Sequence, residues 1–155
     1  MLPPRSRTGS GRAGPGTVDP MWVSRVVQAP AAHVWRVLID TTTWTQWGPS
    51  ISEVRHEGRF LGPGSRGQVR PPVGPWLDFE VTRFEEGHLW SWHVAGVPAT
   101  AHRVESIDAR RCRAGIDVPL LVAPYALVGA LALQRIDHLA RYAALSHVRR
   151  THPPP

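Results

Sequence analysis

The chain contains no lysine and no asparagine, and every one of its 18 basic residues is arginine. Codons for the two missing residues are the richest in A and T, so the genome of a high-GC bacterium accounts for both absences and for the arginine surplus. Arginine enrichment is therefore discounted as a sign of phosphate recognition. A lone cysteine, Cys112, excludes an internal disulfide framework. There is no Cys-x-x-Cys pair, His-Glu-x-x-His run or compact acidic cluster, so no metal site is expected. A phosphate-cradling Gly-x-x-x-x-Gly-Lys loop, a Gly-x-Gly-x-x-Gly turn and Gly-x-Ser-x-Gly are absent as well, and no cofactor is expected.

Charge is also scarce where a nucleic-acid groove would need it. Arg5, Arg7, Arg12, Arg149 and Arg150 lie in the two ends of the chain against a single acid, Asp19, so most of the net charge of +6 falls outside the body. A nearly neutral body argues against a nucleic-acid partner. The N-terminus has arginines but no apolar core of a secretory signal, which points to a cytoplasmic location. Residues 1–20 are rich in Pro, Gly, Ser and Arg with too little to bury, and read as a disordered tail. Met21 stands directly before the first structured segment, and the head need not be translated at all. The end of the chain, 149–155, closes in three prolines and reads as a second tail.

What is present is enough apolar content, 42%, for one core over residues 21–148. Its most distinctive stretch is Leu121 to Val148, read as one long helix. Tyr125, Val128, Ala132, Ile136, Leu139 and Ala143 fall at alternating steps of three and four and share one face. From Val118 to Leu133 no residue is charged, whereas Arg135, Asp137, His138 and Arg141 restore a polar side. The front half, Leu131 included, is accordingly expected to be enclosed by protein or by something apolar that the protein surrounds. A membrane span is not expected, because the uncharged run falls short of roughly 20 residues and contains Pro119, Pro124 and Gly129.

Ahead of that helix the pattern changes twice. Trp22 to Gln28 reads as a strand, with Val23, Arg25 and Val27 on one face. Pro30 opens a helix over Ala31 to Ile39, and Asp40 caps a second short helix over Thr41 to Gln46. Short strands at hairpin spacing follow, about Ser50 to Glu57, Ser65 to Arg70, Trp76 to Phe84, His88 to Val94, Ala99 to Ile107 and Cys112 to Val118. This order predicts an α+β fold, a curved antiparallel sheet wrapped around a long C-terminal helix. A gap is expected between the concave face and the front half of the helix, the place for an apolar ligand.

Ala29-Pro30, Val34-Trp35, Leu38, Asp40, Trp44, Trp47, Pro49 and Ile51 resemble the opening motif of the START-like (SRPBCC) superfamily, and its polyketide cyclase/dehydrase group in particular. The resemblance implies a helix-grip fold from Trp22 to about His147 and a hydrophobic small molecule, lipid-like or polyketide-like, in the cavity. It carries over no fixed catalytic positions, and the usual Gly-Thr pair before the last strand is replaced here by Asp108-Ala109-Arg110-Arg111. The candidates are therefore argued from strand parity. Phe79, Trp90 and Trp92 would line the gap from the sheet, and Tyr125 and Val128 from the helix. His102 alternates with Val104 and so faces inward, where an imidazole can act as acid or base. His88 and His93 are expected outward or at strand ends. Three functions follow: a carrier for an apolar molecule, a cyclase or dehydratase working in the same cavity, or an interaction module if the aromatics fill the cavity themselves.

Overall fold

A computed structural model describes residues 21–118 and 126–151, with the side chains at 21, 126–130 and 144–151 left outside the description. Strand β1 (Met21–Val27) is followed by α1 (Ala31–Ile39), a single 3₁₀ turn (Thr41–Thr43) and the short α2 (Trp44–Trp47). Six strands come next: β2 (Glu53–His56), β3 (Arg66–Arg70), β4 (Leu77–Glu85), β5 (Leu89–Val94), β6 (Val97–Asp108) and β7 (Arg111–Val118). Helix α3 (Ala126–Thr151) follows, ending three residues past the expected helix end at Val148. All expected elements are present, with bounds shifted by a few residues.

The strands form one seven-stranded sheet in the order β1-β7-β6-β5-β4-β3-β2, every neighbouring pair antiparallel. Six consecutive strands thus form a meander, and β1 joins its far end beside β7. The register shifts between Val81 and Arg83, between Ser91 and His93, and between Ser106 and Asp108. Such irregularities bend and twist a strand locally, which suits a curved sheet. Its inner face carries Val27, Val69, Phe79, Val81, Trp90, Trp92, Val104, Cys112, Ala114 and Ile116, all buried in one core.

Local chemistry sets the entry to this core. Pro30 precedes α1, whose Val34, Trp35, Val37 and Leu38 are buried. Asp40 then closes one helix and opens the next turn, its carboxylate accepting from Thr42 N at 3.1 Å and from Thr42 Oγ1 at 2.6 Å. Arg59 donates to the same carboxylate through Nε at 3.0 Å and Nη2 at 2.8 Å. Asp40 is buried, which raises its pKa, but the bonds from Arg59 and Thr42 to its charged form outweigh that and hold the pKa below the usual carboxylate range. The capping role expected for Asp40 is met.

Helix α3 packs on α1, α2, β1 and β7 with part of the face read from the sequence, Ala132, Ile136 and Leu139, but turned so that Leu133, Asp137 and Ala140 join it. Its buried residues are Ala132, Leu133, Ile136, Asp137 and Ala140. Leu131 is 40% exposed, so the front half is not enclosed at every position, Ala143 of the expected inner face is exposed, and Asp137 sits on the inner side, not the polar one. The reason is a partner on the facing strand. Arg25 projects from the inner face of β1 to within 3.3 Å of Asp137, and Arg141 grips the same carboxylate at 2.7 and 3.0 Å. A doubly paired carboxylate tolerates burial, so the helix rotates to bring it inward. Among the described residues no helix is long and apolar enough to cross a membrane.

The rotation separates two neighbouring leucines. Leu133→Asp, which buries an unpaired charge, should cost on the order of several kcal/mol. Leu131→Asp should cost about 1 kcal/mol or less, as surface changes do. Urea midpoints of the two variants check this.

Candidate functional site

One cavity of about 360 Å³ opens between the concave face of the sheet, the α2 region and α3. Trp90, Trp92, Val94, Thr100, His102, Ile116 and Val118 form its sheet wall, Trp44, Trp47, Pro49, Ser50 and Ile51 the wall after α1, and Ala132 the described part contributed by α3. Pro71, Leu77, Val97 and Pro98 lie around it at one end. The volume is at the lower end of the roughly 300–1,000 Å³ range of small-molecule pockets.

Aromatic rings build its deep wall. Trp44 stacks on Trp90 with centroids 5.5 Å apart and planes 3° from parallel, and Trp90 stacks in turn on His102 at 4.0 Å and 17°. Trp47 meets His102 edge-on at 5.7 Å, and Trp92 meets Trp44 edge-on at 5.3 Å. Both stacked and edge-on arrangements suit the ring quadrupoles. Indole donors are mostly satisfied within the protein: Trp44 Nε1 donates to the Leu38 carbonyl at 3.0 Å, Trp47 Nε1 to Thr43 Oγ1 at 3.2 Å, and Trp92 Nε1 to Thr100 Oγ1 at 3.2 Å. Of the described residues that line the cavity, two have a buried nitrogen without a partner, Trp90 at Nε1 and His102 at Nδ1.

His102 is 3% exposed, and desolvation lowers its pKa from 6.5 to about 3. The imidazole is therefore neutral over the working pH range. It offers hydrogen bonds, not a charge. Its Nε2 lies 3.4 Å from Thr100 Oγ1. Cys112, also buried, has its thiol pushed up to about 11 by desolvation and secondarily by the charge of Asp137, and stays protonated. Among the described residues no cluster of His, Cys, Asp and Glu is arranged to hold a metal ion.

Of the candidate residues, Trp90, Trp92 and His102 come together at the cavity. Phe79 does not line it. It is 3% exposed and wedged behind the wall, 5.6 Å from Trp44 and 5.5 Å from Trp92, close against Gly67 on the neighbouring strand. Tyr125 lies outside the described residues, as does the side chain of Val128. His88 lies just before β5 and is exposed, and His93, on the opposite parity from Trp92, is half-buried. The sequence reading missed Thr100, which shares the face of His102 two residues on. It also left Trp44 and Trp47 as fold markers, although they line the cavity.

A seven-stranded antiparallel sheet gripping a terminal helix around an apolar cavity defines the helix-grip α+β class. Residues 21–143 match the family described as polyketide cyclase / dehydrase and lipid transport, and the chain belongs to that family. No curated protein sequence matches it. The Zhui aromatase/cyclase of a Streptomyces species is similar in structure, with a TM-score of 0.60 and 16% identity over 86% of this chain and 95% of that one. A Nitrosomonas europaea protein aligns with a TM-score of 0.59 and 16% identity over 82% and 97% of the two chains. A Thermobifida fusca protein solved by NMR gives 0.58 and 19% over 78% and 93%. At these identities the likeness establishes the fold alone.

The depressed pKa of His102 has a signed consequence. The unfolded chain takes up a proton near pH 6.5 and the folded one only near 3, so the stability associated with neutral His102 is complete above 6.5 and is lost as pH falls. At pH 5 the loss should be on the order of 1–2 kcal/mol. His102→Gln should flatten that decline, as read from urea midpoints at pH 7 and pH 5.

Proposed function

We propose that the protein binds an apolar small molecule in the cavity between its sheet and α3, acting as a carrier or sequestering protein. The observation that supports this best is the gap itself. The tryptophans pack against one another and leave about 360 Å³ beside them, whereas an interaction module would have filled its core with them. Membership of a family of cyclases, dehydratases and lipid-transport proteins fits the same reading.

The second reading is a cyclase or dehydratase acting on an aromatic or polyketide-like substrate in the same place, with His102 as its proton-transfer group. The family description and the Streptomyces aromatase/cyclase speak for it. Electrostatics favour the carrier. Among the described lining residues His102 alone titrates, and a group with a pKa of about 3 is a weak base far from the operating pH that proton transfer favours. The imidazole is better suited to orient a ligand.

Native mass spectrometry of the purified protein should reveal a retained apolar ligand. Val94→Trp places an indole in the cavity from a half-buried position, and should abolish that adduct with little change in melting temperature. If a substrate is turned over, His102→Gln should lower the rate by on the order of 10² under the enzyme reading. A rate within a few-fold of the parent removes that role from His102.

A further inference from the structure

Resting on the binding reading above, we propose that Thr100 is the cavity's hydrogen-bond donor, and that the ligand is a neutral, flat, largely apolar molecule presenting a carbonyl oxygen to it. The hydrogens around one oxygen, Thr100 Oγ1, decide which group donates. An indole nitrogen can only donate, so the Trp92 Nε1–H, 3.2 Å away, occupies one lone pair of Thr100 Oγ1. His102 Nε2 lies 3.4 Å from the same oxygen, while His102 Nδ1 is buried without a partner among the described residues. A neutral imidazole carries one hydrogen. Placing it on Nδ1 would strand a buried N–H, whereas placing it on Nε2 gives it to Thr100 and leaves only a bare lone pair unpaired, the less costly arrangement.

Both lone pairs of Thr100 Oγ1 are then filled, and its own hydrogen is left to give away. Accepting two bonds polarises the hydroxyl and strengthens it as a donor. Thr100 is half-buried and lines the cavity. Trp90 Nε1 also lacks an acceptor among the described residues, but that residue is 0% exposed, and of the two lining hydroxyls, Thr100 and Ser50, Thr100 is the one bonded to the rings of the deep wall.

The surroundings select the acceptor. None of the described lining side chains is formally charged, so a carboxylate or phosphate would enter without a counter-ion, at a prohibitive desolvation cost. A hydroxyl would bring a further donor that needs an acceptor of its own. A carbonyl adds an acceptor and nothing else. The parallel indole and imidazole rings of the deep wall favour a flat partner.

Three probes of the same ring outline test this through quenching of tryptophan emission: 2-acetylnaphthalene, 2-isopropylnaphthalene and 2-naphthoate. The ketone should bind several-fold, up to about tenfold, more tightly than the hydrocarbon, and the anion most weakly. Thr100→Val should erase the preference for the ketone while keeping hydrocarbon affinity, which also shows that the variant is folded, and Thr100→Ser should retain the preference. A ketone preference that survives in Thr100→Val, or a naphthoate that binds most tightly, overturns the assignment of Thr100 and the neutral ligand. If the hydrocarbon binds without a ketone preference in the parent, the donor is wrong and the cavity reading stands. If none of the three binds, the cavity reading falls and this inference with it.

Discussion

The stack of Trp44 on Trp90 is the contact on which the rest of the arrangement depends. Trp44 sits in a helix of only four residues, too short to persist by itself, and Trp90 on the central strand β5. Their rings lie 5.5 Å apart and nearly parallel, with both residues fully buried. Through this contact the short-helix layer is held against the sheet. Because the two indoles are spent on each other, on Trp92 and on His102, they line the cavity without filling it.

The same economy governs polar groups. Burying an amide, hydroxyl or ring nitrogen is tolerable only when it is paired, and most of the indole donors find an acceptor inside the chain. His102, placed among rings, keeps its neutral form for the same reason that a lone charge cannot enter. The ion pairs are kept away from the cavity. Asp40 with Arg59 secures the junction of α1 and the following turn, and Asp137 with Arg25 and Arg141 fastens α3 to β1. The charges thus hold the frame and the apolar rings shape the space within it.

Much of this was legible because it depends on local periodicity. Alternation in Cys112 to Val118 and in Leu77 to Val81 marked which side chains face the core, and it placed His102 inward beside Val104, where it is found. Parity could not say how deep each residue lies. Phe79 shares the inner face with Leu77 yet is covered by Trp44 and Trp92, while Leu77 borders the cavity. Thr100 was within reach of the same argument, since it precedes His102 by two on one strand, but a threonine in a strand carries no signal until its neighbours are known.

The sequence by itself determined the order of elements, the antiparallel character of the sheet, the capping by Asp40 and the inward placement of Trp90, Trp92 and His102, because each follows from spacing along one segment. Tertiary structure decided the rotation of α3, which the uncharged run alone would have buried at Leu131 and opened at Asp137. The physical reason is that a helix face is chosen by what lies opposite it. Arg25, more than a hundred residues earlier in the chain, pairs with Asp137 and offsets the cost of burying its carboxylate, and no periodicity within the helix can register that partner.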